Sequence, residues 1–203
     1  MSSTPVVRVT RSGLEESVHA IDVAVVDSDG TLVAFAGDPQ RPLFARSSMK
    51  PLQASVSLSC AAFDFTEPEI AVMCASHNAE PVHVETVRSL LSRAGVPQEA
   101  LLCSVVRFWD EETAATDPEK RPINSDCSGK HGGMLAACGS QGWPLESYRD
   151  PAHPLQSAIR RTVLAVTGRE DVRVGVDGCG VLVHGMALAS VATIYAQLAA
   201  PDR

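Results

Sequence analysis

The stretch Arg46-Ser47-Ser48-Met49-Lys50-Pro51 decides how this chain is read. A helix that begins at Ser47 or Ser48 places Pro51 in its first turn, where a backbone N–H has no intrahelical partner to lose. Residues three apart on a helix share a face, so Ser47 and Lys50 can touch while Ser48 points elsewhere. A serine hydroxyl becomes nucleophilic when a base takes its proton. A lysine can be that base when burial leaves its amine neutral. The helix N-terminus adds N–H groups suited to a developing oxyanion. The same S-x-x-K spacing also arises by chance in unrelated chains.

Outward from this point, residues 4–37 read as strands. Two β-rich runs, 21–26 and 31–36, are joined by Asp27-Ser28-Asp29-Gly30, which is hairpin chemistry with the aspartates as turn formers. Residues 42–50 form a connection. The apolar run 69–76 reads as a buried strand ending in polar residues. Val84, Val87, Leu90, Leu91 and Ala94 recur at helical spacing, and Gly95 closes that helix. The polar, proline-punctuated stretch 109–124 is a long loop and a candidate lid. A short helix of small residues is expected over 129–138 and an amphipathic one over 155–166, between Pro154 and Gly168. A strand over 172–176 stops at Asp177-Gly178-Cys179-Gly180, and 186–199 is the last helix. This order predicts an α/β or α+β fold, with one domain over 1–203 and room for a smaller second lobe.

Composition narrows the function. Of 203 residues, 45% are hydrophobic and 20% charged, which argues against disorder. The net charge of −7 comes without a Lys/Arg cluster, and aromatics are 4%, so neither phosphate attraction nor base stacking favours nucleic-acid binding. The N-terminus lacks the pattern of a signal peptide, and six cysteines are too sparse for a disulfide scaffold; the reading is a reduced, cytoplasmic protein. The uncharged stretch 178–200 is long enough to span a bilayer. Its His184, Ser190, Thr193 and Gln197 and its abundance of alanine favour a buried helix.

Two further segments carry chemistry. Cys74-Ala75-Ser76-His77-Asn78-Ala79-Glu80 gathers a hydroxyl, an imidazole and a carboxylate. Ser76 can pass a proton between a nucleophile and a lysine, and His77 is a candidate orienting and substrate-binding residue. Equally, Cys74 can be core and Ser76-His77-Asn78 a helix entry. The second segment runs from Asn124 to Gly133. It resembles a phosphate loop only superficially, because His131 follows the lysine where Ser or Thr is required. Cys127 and Lys130 lie three apart, and Cys179 occupies a glycine-bracketed turn. Two thiolates and a lysine amine can hold Zn²⁺, although lysine is an unusual ligand and no C-x-x-C is present. Asp177 can pair with a substrate ammonium or cap its turn.

R-S-S-M-K-P-L-Q, C-A-S-H-N-A-E-P-V-H, D-C-S-G-K-H-G-G-M-L and D-G-C-G, in that order, resemble the asparaginase II family of the Rhizobium etli type, often called class 3 L-asparaginases. The resemblance runs over nearly the whole chain. It implies a fold similar to serine β-lactamases and glutaminases, a sheet flanked by helices, usually as a homodimer. It also implies hydrolysis of L-asparagine to L-aspartate and ammonia. By that resemblance Ser47 matches the nucleophile, Lys50 its partner lysine and Ser76 the second serine. Cys127, Lys130 and Cys179 match a zinc site beside the pocket, and Asp177 a substrate-binding carboxylate.

Family members continue beyond Pro201-Asp202-Arg203, where they supply a further active-site lysine and more of the sheet. The resemblance therefore implies a domain lacking the family's C-terminal part. After D-G-C-G the family usually has a small or proline-containing run, where this chain has Val181-Leu182-Val183-His184-Gly185. Two functions follow as expectations. The first is an amidohydrolase acting on L-asparagine through an acyl-enzyme. The second is a truncated, non-catalytic module that binds a small amino acid or a partner chain. A β-lactamase-like hydrolase is a third reading, but neither S-D-N nor K-T-G follows the S-x-x-K.

Overall fold

A computed structural model describes residues 5–105, 111–116 and 119–200. The chain divides into two compact units, one of Met1–Ala45, Val163–Arg173 and Gly185–Arg203, the other of Arg46–Thr162 and Val174–His184. Among the described residues strands come first, then a run of helices, then a strand pair and a last helix, and this segregation makes the fold α+β.

In the first unit, β1 (Val6–Arg11) and β2 (Leu14–Ala20) form an antiparallel hairpin that pairs Val6 with Ala20 and Arg11 with Leu14. Ser12 and Gly13 turn it with positive φ at both positions, the geometry that matches strand twist in a two-residue turn. β3 (Val23–Val26) pairs with β4 (Leu32–Ala36). Their turn is the expected one. Asp27 Oδ1 accepts the N–H groups of Asp29 at 3.0 Å and Thr31 at 2.9 Å, so this aspartate is satisfied by its own backbone. At the far end of the hairpin Asp22 accepts the Asp38 N–H at 2.7 Å and pairs with Arg41; that N–H bond, before the guanidinium, lowers the Asp22 pKa. The helix α7 (Leu188–Leu198) packs on β3.

The second unit is built around α5 (Ser128–Gln141), which is buried without a break from Ser128 to Cys138. Against it lie α1 (Lys50–Cys60), α2 (Glu67–Cys74) and α3 (Pro81–Arg93). Ala54, Met73, Leu90 and Ala136 form the core between them. The glycines of α5 set how closely it can be approached. A Cβ on Gly129 would stand 2.1 Å from the Val72 carbonyl oxygen, and one on Gly133 would stand 2.3 Å from Met73 Cε. The helix ends at Gly142 in the left-handed conformation. A capping box starts α2: Thr66 N–H donates to Glu69 Oε2 at 2.8 Å. Buried Glu69 also takes a 2.6 Å contact from Arg93, whose guanidinium lies over the Phe63 ring.

Three expectations change. The run over 69–76 is not a strand; it is most of α2. An apolar segment covered by helices on several sides has no amphipathic period, and Thr66 with Glu69 supplies the helix start. The stretch 178–200 is not one helix. It holds β7 (Leu182–Ala187) and then α7, and β7 lies between β5 (Pro42–Phe44) and β6 (Arg173–Val176). A central strand buried on both faces shows no alternation, which is why it reads as helix. The connection over 42–50 likewise contains β5. No helix among the described residues is long and apolar enough to cross a membrane. Trp109, Asp110, Asp117 and Pro118 of the expected lid lie outside the described residues; the rest contains α4 (Glu111–Thr116) and a 3₁₀ turn, Pro122–Asn124. The helix α6 (Pro154–Thr167) stands where its amphipathic pattern predicts.

Candidate active site

Every residue singled out for chemistry lies in the second unit. Lys50 opens α1 and is fully buried. Its Nζ donates to Ser76 Oγ at 2.8 Å, to the Ala75 carbonyl at 3.2 Å and to the Asp126 carbonyl at 3.2 Å. Three chain segments therefore meet at one amine: the start of α1, the exit from α2 and the turn before α5. Their convergence follows from the packing of α1 and α2 on α5. Three acceptors match the three donors of an ammonium. A neutral amine fits the same shell by donating to both carbonyls and accepting the Ser76 O–H.

His77 clamps the same corner. Its backbone N–H donates to the Asp126 carbonyl at 3.3 Å. Its Nδ1 accepts the Ala79 N–H at 3.1 Å, which leaves Nε2 to carry the proton and donate to Ser128 Oγ at 2.9 Å. Burial, then the nearby His83 and Lys50, push its pKa down to about 4, so the ring is neutral at pH 7. His83 stacks on it with ring centroids 5.3 Å apart. Both ring nitrogens of His77 are thus taken up within the protein. Ala79 sustains this bend with φ of +62°, a conformation strained for a residue with a Cβ.

Ser47 lies on the 3₁₀ turn Arg46–Met49, exposed, and makes no side-chain hydrogen bond among the described residues. None of the three Lys50 bonds reaches it. Its neighbour Arg46, at φ of +48°, reaches Asp177 Oδ1 with Nε at 3.1 Å and Nη2 at 3.0 Å. Asp177 Oδ1 also accepts the Gly178 N–H at 2.8 Å, so this carboxylate both caps its turn and meets a cation. Arg46 is the residue that sequence reasoning passed over. Its place directly before the S-x-x-K was the one local signal.

Cys127, Lys130 and Cys179 come together. Lys130 Nζ lies 3.1 Å from Cys179 Sγ. The neighbouring Cys127 thiol, with His131 and Lys130 beside it, lowers the Cys179 pKa, while Cys179 and then burial push Cys127 up. Around them stand Cys103, pushed up to about 11 by burial, and His131, pushed down to about 4 by burial. No group of three or more His, Cys, Asp and Glu side chains among the described residues could hold a metal ion. A zinc ion here would depend on the lysine. Two soft sulfurs and an amine are a donor set that zinc accepts.

The second unit thus holds a buried lysine amine against a serine hydroxyl and, in the same unit, an arginine–carboxylate pair. The chain belongs to the L-asparaginase II family, whose family model matches residues 7–203. No curated protein gives a match.

Proposed function

We propose that this chain is an asparaginase-type amidohydrolase that converts L-asparagine to L-aspartate and ammonia through an acyl-enzyme. Family membership supports the amidohydrolase class. The observation that carries the reading further is the 2.8 Å contact between Lys50 and Ser76 in a fully buried setting. In this reading Ser47 Oγ attacks the side-chain amide carbon, and its proton passes through the Ser76 hydroxyl to the neutral Lys50 amine. The same lysine returns a proton to the departing nitrogen, which leaves as ammonia. Water then attacks the ester on Ser47, releases aspartate and restores the hydroxyl.

The Arg46–Asp177 pair recognises the zwitterionic end of the substrate: the ammonium faces Asp177 and the carboxylate faces Arg46. Asparagine has both charges and a side-chain amide, so the pair fits an α-amino acid better than a simple amide. His77 holds Ser128 and the turn before α5 and so positions Lys50 indirectly. Cys127, Lys130 and Cys179 are the residues that would hold zinc. When bound, the ion would act as a Lewis acid that keeps the Lys130 amine deprotonated. A fold similar to serine β-lactamases and glutaminases, and a homodimeric assembly, belong to the same reading.

Ammonia release from asparagine by the parent, Ser47→Ala and Ser76→Ala tests it. Loss in Ser47→Ala, with a slowed but measurable burst in Ser76→Ala, supports Ser47 as nucleophile. The direct Lys50–Ser76 bond favours one alternative, Ser76 as the attacking group. Trapping the acyl-enzyme and locating the modified serine by mass spectrometry separates the two. A purified parent chain that binds asparagine and releases no ammonia establishes the non-catalytic module instead.

A further inference from the structure

The turn Asp177-Gly178-Cys179-Gly180, between β6 and β7, carries two residues of the candidate site, and two of its four residues are glycines. Glycine has the most backbone freedom to lose on folding, so such a turn needs support from outside itself. Within it, Gly180 N–H donates to the Asp177 carbonyl at 2.8 Å, Asp177 N–H to the Val181 carbonyl at 2.9 Å and Gly178 N–H to Asp177 Oδ1 at 2.8 Å. Gly180 has φ of +84°, and a Cβ built there would stand 2.1 Å from Arg149 Nη1 and 3.1 Å from its Cζ. The head of the Arg149 side chain therefore lies directly against the Gly180 backbone.

Arg149 is itself held. Its Nη1 donates to the Leu102 carbonyl at 2.8 Å, and the N–H of the same Leu102 donates to Tyr148 Oη at 3.0 Å. Tyr148 is fully buried; its Oη lies 2.5 Å from His131 Nδ1, and its carbonyl accepts Gln156 Nε2 at 2.8 Å. Two consecutive residues thus grip both backbone polar groups of Leu102, and Arg149 stands on a fixed base. All of these residues belong to the second unit.

We propose that Arg149 is a positioning residue for the turn 177–180: its guanidinium, anchored on Leu102, is the surface against which Gly180 rests, and it thereby fixes where Asp177 holds its carboxylate. The head of an arginine is a rigid plane, so the bond to Leu102 also fixes the atoms that meet Gly180. A lysine ammonium is a point charge on a flexible stem and lacks that plane. The consequence for substrate binding rests on the reading of Asp177 as the group that faces the substrate ammonium.

The test measures amide hydrogen exchange on the whole chain in the parent, Arg149→Lys and Arg149→Met. The Asp177 and Gly180 amides are expected to exchange about tenfold faster or more in Arg149→Met, while those of Leu135 and Ala136 in α5 change far less. Arg149→Lys is expected to fall between, which keeps the test decisive if Arg149→Met does not fold. Unchanged rates at 177 and 180, or an equal rise throughout the chain, overturn the proposal. Kinetics supply a second readout. Arg149→Met is expected to raise KM for asparagine about threefold to tenfold, with a smaller effect on kcat. Added to Asp177→Asn it is expected to raise KM less than about twofold further, because both changes act through one carboxylate. An equal rise in both backgrounds overturns the action through Asp177. A parent that releases no ammonia counts against the amidohydrolase reading alone, and amide exchange still decides this proposal.

Discussion

Lys50 Nζ stands 2.8 Å from Ser76 Oγ, with no solvent exposure at the lysine, although 26 residues separate the two in sequence. A buried amine of this kind holds three segments in register. Replacing Lys50 by methionine keeps most of the volume but leaves the Ser76 hydroxyl and the Ala75 and Asp126 carbonyls without their donor. Each unsatisfied buried group costs about 1–3 kcal/mol. Lys50→Met is expected to lower the urea midpoint markedly and abolish ammonia release. Ser76→Ala is expected to lower it much less.

The Arg46–Asp177 pair is a different case, because the arginine side chain is 69% exposed. An exposed ion pair contributes less than about 1 kcal/mol to stability. Asp177→Asn keeps an oxygen for the Gly178 N–H and removes only the charge. It is expected to leave the melting temperature nearly unchanged and to raise KM for asparagine about tenfold or more, roughly 1.4 kcal/mol of binding, with a smaller effect on kcat. Steady-state kinetics and thermal melts on the same preparation check both halves.

Stability should depend on pH through His77 and His131, each held down to about 4 by burial. In the unfolded chain these rings titrate near 6.5, so between the two values the unfolded state binds more protons. Stability is therefore present above pH 6.5 and lost as pH falls toward 4, on the order of 3 kcal/mol for each ring. Melting temperatures from pH 7.5 to 4.5 are expected to fall steadily. His77→Gln is expected to flatten that slope, though it lowers the melting temperature at pH 7.5.

The α2–α5 contact gives a steric prediction. A methyl on Gly129 meets a backbone carbonyl at 2.1 Å, which cannot move without displacing α2, whereas a methyl on Gly133 meets the far end of the Met73 side chain at 2.3 Å. Gly133→Ala is expected to cost about 1–3 kcal/mol, in the usual range for overpacking. Gly129→Ala is expected to cost more than that and to disturb Lys50, since its neighbours Asp126 and Ser128 belong to the same corner. Denaturant midpoints of the two variants, compared side by side, decide the order.

Local chemistry was legible wherever a residue answers to its immediate neighbours. The Asp27–Gly30 turn, the helix closed by Gly95 at φ of +66° and the amphipathic α6 stand where their patterns place them. The helix α2 and the strand β7 were not legible. Both are covered on more than one side, so burial erased the period that distinguishes helix from strand.

By itself the sequence determined which groups were available: a Ser and a Lys three apart, a glycine-flanked thiol with a second thiol and a lysine, and an ordered set of motifs that placed the chain in its family. Only the tertiary structure decided who meets whom. Lys50 turns to Ser76, and Arg46 crosses 131 residues to Asp177. His77 spends both ring nitrogens on the protein, and Tyr148 reaches the histidine beside the thiols. Hydrogen-bond partners at such separations depend on how α1, α2 and α3 dock on the glycine-lined α5, and no local pattern of residues encodes that docking.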